Sequence, residues 1–427
     1  MKVAVADWDV AYPLNSGKRI RTTQLMLELA KRHQLTYVSR GSDADAAGRT
    51  SREFLGDHGI RTHYLDSPIP PKSGLGYPLR LLRNAAFSKQ PYVVDVHAGR
   101  NFLRRYRQFA SRESFDLWQL EWTPYSRMLR GIDALTRVLV AHNVDSLIWK
   151  RYAETETRPL HREFFKRQLR RFQAFEAEAF REVNRVVAVS QPDADLMRSM
   201  FGINHVDVVD NGVDLETYSK VQRQPMEGQI LFLGSLDWRP NQDAITLLLD
   251  EIFPLVRQRM PGATLHIVGR RPPDSMRRQA AAVDGVSMHV DVPEVFPHLA
   301  SAQVMAIPLR IGGGSRLKMI EALAAGVPVV ASTIAAEGLD LAPGHDYMLA
   351  DTPEQSADAI VKMMLDPARA ASLVQTGLAS VRRRYGWPRL ATKLEGIWET
   401  CVAGSRPTLG KDSEQQSQSS NREEIVV

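Results

Sequence analysis

Apolar residues in the first half of the chain fall into short runs separated by stretches with helical spacing. Lys2 to Ala6 is a β-like run, Arg19 to Arg32 carries apolar residues at helical spacing, and LTYVS (35–39) returns to strand character. The further strand candidates are DLWQL (116–120), RVLVAHN (137–143) and RVVAVS (185–190). Strands that alternate with helices are typical of a parallel sheet covered by helices. The first half is therefore predicted to be a parallel α/β domain.

The same alternation restarts after VDVVDNGV (206–213), where a polar stretch to Gly228 predicts a linker. The strand candidates that follow are QILFLG (229–234), ATLHIVG (263–269), VSMHV (286–290), VMAIPL (304–309) and VPVVAS (327–332). The polar end of the chain has too little apolar material to offset chain entropy. We therefore predict a Rossmann-like domain over 1–205, a second over 206–382, a helix over 383–403 and a disordered tail over 404–427.

The composition is typical of a soluble two-domain protein, and the balance of charges favours some classes of ligand over others. The 427 residues are 44% hydrophobic and 24% charged, as in an ordinary globular chain longer than one core needs. Lys and Arg outnumber Asp and Glu by 55 to 49, which favours anionic ligands such as phosphates or acidic lipid. The sequence contains no zinc knuckle, RNP-like strand or homeodomain-like helix, so we expect no nucleic-acid partner.

Cysteine usage and apolar run lengths bear on location. Cys401 is the single cysteine, which excludes an internal disulfide and is consistent with a reducing compartment. The N-terminus MKVAVADWDVAYPL lacks the apolar core of a signal peptide, and no apolar stretch approaches the ~20 residues of a membrane span. We expect a cytoplasmic protein whose membrane contact is peripheral, at the inner face of the plasma membrane.

A charged, aromatic and helix-like segment over 149–185 has two readings. It is either a solvated helix that packs its Phe side chains onto the core, or a helix with a membrane-surface face.

The most informative run is PLRIGGGSRLKMIEALAAGVPVVAST, residues 308–333. Its pattern predicts a strand, a turn of three glycines at 312–314, and a helix from about Arg316 that stops at Gly326. Glycines let the backbone approach a ligand closely, and the first helical amides carry unpaired N–H groups, so this arrangement suits a phosphate. Arg316 and Lys318 lie in the first turn, where like charge opposes the helix dipole unless an anion is bound.

Glu321 lies four residues after Leu317, on the same helix face and about 6 Å further along the axis. This distance suits a ribose beside a phosphate, because a carboxylate readily accepts hydrogen bonds from paired hydroxyls. The alternative is a surface glutamate near Arg and Lys on a solvated helix.

The run EALAAGVPVV resembles the second half of the donor-site signature of the retaining GT-B glycosyltransferases. This family includes sucrose-phosphate synthase and bacterial lipopolysaccharide and phosphatidylinositol sugar transferases. The resemblance implies the α/β GT-B architecture, with two Rossmann-like domains facing a central cleft. It also implies a nucleotide-diphosphate sugar donor, a carbohydrate or lipid-linked acceptor, and no metal or other cofactor.

In this resemblance Glu321 is the second of two signature glutamates, and the first falls on Gly313. That departure leaves the donor sugar open, although backbone N–H groups from Gly313 to Ser315 could substitute. The family's Arg and Lys after the first strand of the second domain are replaced here by Ser235 and Asn241. We hypothesise that Arg316 and Lys318 supply the missing phosphate charge.

The loop YPLNSGKRIR (12–21) resembles the family's glycine loop, with Gly17 as its pivot. Its cations, Lys18, Arg19 and Arg21, could instead be solvated. His142 ends a strand where the family places a histidine near the donor sugar; the alternative is a histidine that only hydrogen-bonds a loop.

Three further segments match the family more loosely. Gly269 ends one strand and Val292 follows another; in the family the loops after these strands face the nucleotide base through main-chain groups, and ordinary turns are the alternative. NGVD (211–214) is interpreted as a hinge turn. YGWPRLATKLEGIW (385–398) resembles the family's last helix, which crosses back to the first domain.

The candidate catalytic residues are therefore His142, Arg316 and Lys318, and the candidate substrate-binding residues are Gly17, Gly313, Gly314, Ser315, Leu317, Glu321, Gly269 and Val292. No metal ligand is assigned, because neither DAD run (43–45 and 193–195) is accompanied by further oxygen ligands.

The predicted function is a retaining, metal-independent glycosyltransferase of cell-surface polysaccharide or glycolipid synthesis. One alternative is a nucleotide-sugar epimerase of the same architecture, for which no clear acid and base pair is visible. The other is a non-catalytic nucleotide-sugar-binding subunit, which Gly313 brings into consideration.

Overall fold

The first half of the chain forms one parallel α/β domain. The computed structural model describes residues 1–67, 69–71, 74, 76–129, 135–311 and 316–405. Within these ranges the first sheet has seven strands: β1 (Lys2–Ala6), β2 (Gln34–Arg40), β3 (Arg61–Leu65), β4 (Leu117–Leu120), β5 (Arg137–Ala141), β6 (Arg185–Ala188) and β7 (Val206–Val208). They are all parallel and lie in the order β3-β2-β1-β4-β5-β6-β7.

The second half forms a second parallel sheet. In the described residues its six strands are β8 (Gln229–Ser235), β9 (Thr264–Arg270), β10 (Val286–Val290), β11 (Val304–Ile307), β12 (Val329–Ala331) and β13 (Met348–Leu349). Their order is β10-β9-β8-β11-β12-β13. The predicted α/β class with two Rossmann-like domains is confirmed.

Helices pack on both sheets. Those of the first half are α1 (Gly17–Ala30), α2 (Ala46–Asp57), α3 (Gly76–Phe87), α4 (Tyr92–His97), α5 (Arg100–Arg112), α6 (Asp145–Thr155), α7 (Pro159–Arg181) and α8 (Gln191–Phe201), with a 3-10 helix over Thr123–Leu129. Those of the second half are α9 (Leu215–Ser219), α10 (Arg239–Leu247), α11 (Phe253–Arg259), α12 (Asp274–Ala281), α13 (Phe296–Ser301), α14 (Leu317–Ala324), α15 (Thr333–Ala336), α16 (Pro353–Leu365), α17 (Pro367–Arg384) and α18 (Trp387–Ser405). A π-helical turn over Leu248–Ile252 joins α10 to α11.

Alternate residues of β1, an interior strand of the first sheet, point into two different cores. Val3 and Val5 point into a cluster that includes residues of α1 and α18, whereas Ala4 and Ala6 point into a cluster with α5, α7 and α8. A strand that is buried on both faces reads as a continuous apolar run, and this is why KVAVA shows no polar alternation. The sheet is therefore the middle layer of three.

In each sheet the strand order reverses once beside its central strand. The reversal lies between β1 and β4 in the first sheet and between β8 and β11 in the second. Connections leave such a point in opposite directions and open a crevice at the carboxyl ends of the two strands, where ligands of open α/β sheets bind. Each of the two crevices is therefore a candidate ligand-binding site.

The predicted boundary at 206 is one strand too early. Val206–Val208 pairs with β6 and completes the first sheet, so the chain enters the second domain after Val209. The sequence gives no turn signal strong enough to separate a three-residue edge strand from the linker that follows it.

The helix-like segment 149–185 is two helices, α6 and α7, separated at residues 156–158. Pro159 begins α7, as expected for a proline that fits the first helical turn but not its interior.

The last helix packs against the first domain, as the resemblance implies. It begins at Trp387 rather than at 383, and Leu390, Leu394 and Trp398 lie in the same apolar cluster as α1. Trp398 is fully buried and donates its indole N–H to Gln119 of β4 over 2.8 Å. The first domain is therefore discontinuous in sequence. The predicted tail from 406 onward lies outside the described residues.

None of the described helices combines the length and the apolar content that a membrane span requires.

Candidate active site

Three polar side chains follow three adjacent strands at the crevice of the first domain. Asp7 comes directly after β1, Glu121 after β4 and His142 after β5. Glu121 accepts hydrogen bonds from the Thr22 hydroxyl (2.7 Å), from Gln119 Nε2 (2.5 Å) and from His142 Nε2 (2.9 Å). The carboxylate is only 2% exposed, so these donors replace the water that it loses. His142 is thus held by Glu121 at the carboxyl end of its strand.

Burial and hydrogen bonding act in opposite directions on this pair. Burial raises the pKa of Glu121, but the hydrogen bond and charge of His142, together with Lys18 and Thr22, outweigh it and hold that pKa at about 2. Burial lowers the pKa of His142, and the hydrogen bond to Glu121 opposes this effect only in part. At neutral pH the pair is therefore an ionised carboxylate with a neutral imidazole that donates Nε2–H to it.

The segment after His142 is fixed from α7. The carboxyl group of Glu176, fully buried, accepts hydrogen bonds from the backbone N–H of Asp145 (2.7 Å) and of Ser146 (3.2 Å), and burial raises its pKa to about 8. These amides begin α6, where no intrahelical acceptor is available to them. Glu176 therefore holds the start of α6 and with it the short segment that carries His142.

The cations that open α1 all have partners. Lys18 pairs with Asp7 and its Nζ lies 5.6 Å from the centre of the Trp8 ring, and Arg19 pairs with Asp9. Arg21 is 1% exposed and donates to the carbonyl groups of Val209 and Asp210, and burial lowers its pKa to about 10. The solvated reading of these three side chains is therefore wrong. Arg21 ties α1 to the chain just before it enters the second domain.

The helix starts at Gly17, after the N-cap Ser16, so residues 17–21 of the predicted glycine loop (12–21) are helical and the loop itself ends at Ser16. Its role as a pivot remains a prediction. The loop nevertheless touches the second domain, because Arg270 at the end of β9 donates to the carbonyl oxygen of Asn15.

At the crevice of the second domain, Arg316 forms the N-cap of α14. Its backbone is in the left-handed region (φ 43°), and its side chain, 9% exposed, pairs with Glu337 over 2.8 Å. Burial lowers the pKa of Arg316, and Glu337 opposes that shift. Charges of Asp193 and Arg151 in the first domain also act on the pKa of Arg316.

Lys318 reaches across to the end of β8. Its Nζ donates to Asn241 Oδ1 over 2.7 Å and lies 4.7 Å from the centre of the Phe232 ring, while Asn241 donates to the carbonyl oxygen of Ser235 over 2.8 Å. Burial lowers the pKa of the Lys318 ammonium to about 7; the charge of Arg316 adds to the shift and Glu321 opposes it. The ammonium group thus lies beside Ser235 and Asn241, the two positions at which the family signature carries its cations.

Glu321, one turn further along α14, is half-buried and bonded to the Tyr218 hydroxyl. Burial raises the pKa of Glu321, and the hydrogen bond from Tyr218 and the charge of Lys318 reduce that rise. The alternative of a glutamate on a solvated helix face therefore does not hold. Tyr218 belongs to α9, the first helix after the chain enters the second domain.

Of the other predicted positions before and at the start of α14, the structure describes Leu317. Gly313, Gly314 and Ser315 lie outside the described residues. The Leu317 side chain is buried in the core of the second domain, so that its backbone N–H, rather than its side chain, is left to face a ligand.

Gly269 has a packing role that the sequence does not indicate. It lies in β9 opposite Gly234 of β8, and a Cβ at Gly269 would overlap the carbonyl oxygen of Gly234. Val292 is half-buried and packs against the core of the second domain. Any contact of either residue with a nucleotide base would therefore be made through main-chain atoms, and this remains a prediction.

The hinge motif lies where the two connections between domains run side by side. The Val213 N–H donates to the carbonyl oxygen of Tyr385 over 2.8 Å, and Val213 bridges to Gly386. A Cβ at Gly212 would lie 2.6 Å from the Trp387 ring, so this position has no room for a side chain. Asp214 then caps α9 by accepting the Thr217 N–H over 3.0 Å. The two connections are thus bonded to each other, and a hinge at this point remains a prediction.

Sequence analysis missed Asp7, Glu121 and Tyr218. For the first two a signal exists, since each is an acidic residue placed directly after one of the two strands that flank the crevice. Tyr218 has no such signal, because it meets Glu321 only through the packing of α9 against α14.

Two family models match the chain, one in each half. The model described as "Glycosyltransferase Family 4" matches residues 99–217, and the one described as "Glycosyl transferases group 1" matches residues 227–366. Together they cover more than half of the chain.

Curated relatives include mycobacterial mannosyltransferases. The chain is 32% identical over 232 residues to phosphatidyl-myo-inositol mannosyltransferase of Mycobacterium tuberculosis, an alignment that covers 51% of this chain and 60% of the relative. It is 31% identical over 179 residues to a GDP-mannose-dependent alpha-(1-6)-phosphatidylinositol monomannoside mannosyltransferase of the same species, covering 39% of this chain and 46% of that one. The chain thus spans well under two thirds of the length of these relatives.

Solved structures share the fold over most of the chain. Sucrose-phosphate synthase from Thermosynechococcus elongatus has a TM-score of 0.69 at 18% identity, covering 94% of this chain and 99% of that one. The Anabaena protein HepE in complex with UDP and glucose has a TM-score of 0.66 at 13% identity, covering 94% and 100%. At these identities the likeness concerns the fold alone.

Proposed function

Because this chain belongs to the GT-B glycosyltransferases, we propose that it is a retaining enzyme that moves a sugar from a nucleotide-diphosphate sugar to an acceptor hydroxyl. The observation that carries the proposal is the ammonium group of Lys318 at the end of β8, with Glu321 one turn further along the same helix. A half-buried cation suits a diphosphate, and a carboxylate at this spacing suits the hydroxyl groups of a ribose. One nucleoside diphosphate would satisfy both side chains.

The chemistry would rest on stabilising the leaving group. As the bond between the sugar and the diphosphate breaks, negative charge develops on the phosphate oxygens. Arg316, Lys318 and the first amides of α14 would face that charge in a site with little water, where fixed charges act most strongly. The acceptor hydroxyl would attack from the face that the diphosphate leaves and pass its proton to the departing phosphate oxygen, so the anomeric configuration is retained without a protein nucleophile or a metal ion.

The first domain would complete the site. His142, held by Glu121, would face the donor sugar, and the contact between Asn15 and Arg270 would bring the glycine loop over the phosphates. Rotation about the paired connections at Val213 and Gly386 would close the cleft and exclude water, which limits hydrolysis of the donor.

The epimerase alternative is less well supported. An epimerase of this architecture needs a carboxylic acid and a carboxylate that exchange protons with the substrate. Glu121 accepts three hydrogen bonds and its pKa lies at about 2, so it would remain ionised throughout.

For the donor we propose a sugar linked to UDP or GDP, because one relative is named as GDP-mannose-dependent and the HepE structure contains UDP. For the acceptor we propose a lipid-linked or carbohydrate hydroxyl in cell-surface polysaccharide or glycolipid synthesis, since the curated relatives are named for phosphatidylinositol acceptors.

A surface of the first domain supports an acceptor at a membrane. Helix α3 exposes Leu79 (68%), Leu82 (67%) and Phe87 (85%). A groove of about 1040 Å³ runs beside this helix, and its lining includes five arginines: Arg40, Arg80, Arg83, Arg100 and Arg127. Apolar side chains next to a cationic groove favour the surface of an anionic bilayer. We propose a cytoplasmic protein that contacts the inner face of the plasma membrane through α3.

Purified protein incubated with UDP-, GDP- and ADP-sugars tests the function. We expect transfer to an acceptor extract or slow hydrolysis of one donor. We also expect the matching nucleoside diphosphate to raise Tm, because at 100 times Kd a bound ligand stabilises the folded state by about 2.7 kcal/mol. The unphosphorylated nucleoside is the control and should have little effect. Epimer formation would support the epimerase alternative, and binding without turnover would support a non-catalytic nucleotide-sugar-binding subunit. If no nucleotide or nucleotide sugar bound or reacted, the glycosyltransferase, the epimerase and the binding subunit would all be contradicted.

Sedimentation with vesicles tests the membrane surface. We expect the protein to bind vesicles that contain anionic lipid, and the triple variant Leu79→Ser, Leu82→Ser, Phe87→Ser to lose most of that binding, because apolar area next to the groove is removed. Leu365→Ser, a change of an equally exposed leucine in the second domain, is the matched control. Equal binding by both variants would contradict the assignment of α3.

A further inference from the structure

Three histidines form a cluster in the second domain, on elements apart from α14. His266 lies in β9, His289 in the neighbouring edge strand β10, and His298 in α13. In the parallel register Ser287 lies opposite His266, and His289, two residues further, points to the same face of the sheet. The topology thus brings three imidazoles together from three elements.

The distances within the cluster are those of potential metal ligands. His289 Nε2 lies 3.2 Å from His266 Nδ1, and one ring nitrogen from each of the three residues lies within 4.8 Å of the other two. In tetrahedral coordination with Zn–N bonds of about 2.0–2.1 Å, neighbouring nitrogens lie about 3.3 Å apart. One pair already has this spacing, and side-chain rotation of His298 would bring the third nitrogen in.

The chemistry of the three side chains also favours a metal ion. All three are half-buried. A neutral imidazole has a ring nitrogen with a free lone pair, and this is the form that binds metal. In the described residues, no other group of three or more His, Cys, Asp or Glu side chains brings its ligand atoms within 4.8 Å of one another.

We propose that His266, His289 and His298 bind one divalent transition-metal ion, with Zn²⁺ as the preferred ion and water as its fourth ligand. The ion links the edge strand β10 and the short helix α13 to β9. It therefore fixes both ends of the connection over residues 291–295, and its role is structural. This site is separate from the metal-independent transfer proposed above, and its occupancy does not depend on a donor.

Calorimetric titration of chelator-treated full-length protein with ZnCl₂ tests the proposal. We expect one tight site per chain and an increase in Tm on zinc addition. His289→Ala and His298→Ala should each weaken zinc binding at least about tenfold, because a site with two protein ligands holds the ion poorly. His345→Ala, which removes an exposed histidine of the same domain outside the cluster, is the matched control and should bind like the unaltered chain.

Two measurements keep the outcome decisive. The Tm of each variant without zinc shows whether the fold is intact, and His298→Gln provides a polar replacement should the alanine variant unfold. Zinc-free protein whose Tm does not respond to zinc would overturn the proposal. So would zinc binding that is equally weak in the unaltered chain and in all variants, since this would indicate only a hydrogen bond between neutral imidazoles.

Discussion

Replacing Arg316 and Lys318 together by alanine is expected to raise the KM for the donor sharply and to lower kcat. Each cation would face charge that develops on the leaving diphosphate, and removal of one such group typically lowers kcat by about 10²–10³. Steady-state kinetics of the two single variants and the double variant, with the donor identified by the nucleotide-sugar screen, measures this. Lys362→Ala, an exposed lysine of the same domain, is the control. If the double variant has unchanged donor kinetics, then neither Arg316 nor Lys318 acts on the donor.

The lowered pKa of Lys318 predicts that both stability and nucleotide affinity depend on pH. Its pKa of about 7 lies below the ordinary value of 10.5, so the ammonium form destabilises the folded chain below pH 7, and this cost disappears as the pH rises towards 10.5. A diphosphate would bind the ammonium form. Affinity for the nucleoside diphosphate should therefore fall above pH 7, by up to about tenfold per pH unit. Lys318→Arg stays charged over this range and should lose that part of the slope, while titration of the ligand itself affects both proteins equally.

Glu321→Ala is expected to weaken binding of a ribonucleoside diphosphate by about 10- to 100-fold. A hydrogen bond to a charged group contributes about 1.5–3 kcal/mol, and the carboxylate would hold the ribose hydroxyls. Calorimetry with ribo- and 2′,3′-dideoxyribonucleoside diphosphates separates this contact from a general loss of fold. The unaltered chain should prefer the ribonucleotide, and the variant should bind both equally.

Glu399→Ala, an exposed glutamate of α18, should retain the preference for ribose and serves as the control. If the Glu321→Ala variant still binds the ribonucleotide more tightly than the dideoxyribonucleotide, then Glu321 contacts Tyr218 but not the ribose.

Local pattern predicted much of this architecture. The helix of the run 308–333 is encoded by neighbouring residues, and the observed helix Leu317–Ala324 lies within the predicted one. The predicted glycine turn at 312–314 lies outside the described residues. A short edge strand such as Val206–Val208 has no comparable signal, because three residues carry too little periodicity to separate a strand from a linker.

The site was harder to predict than the fold, for a physical reason. The hypothesis that Arg316 and Lys318 supply cations missing after β8 rested on motif comparison, and the contact of Lys318 with Asn241 supports it for Lys318. The hydrogen bond between Tyr218 and Glu321, and the histidine cluster, depend on packing between elements distant in sequence. No local pattern encodes such distances.

The position of α18 has a consequence for how the chain folds during synthesis. The second domain runs without interruption from α9 to α17, so all of its elements are available once residue 384 has emerged. The first domain, although it is made first, still lacks Trp387, Leu390 and Trp398, which fill the apolar layer over β1 and α1. Until α18 emerges that layer stays uncovered, so the first domain cannot be completed before all elements of the second have been made.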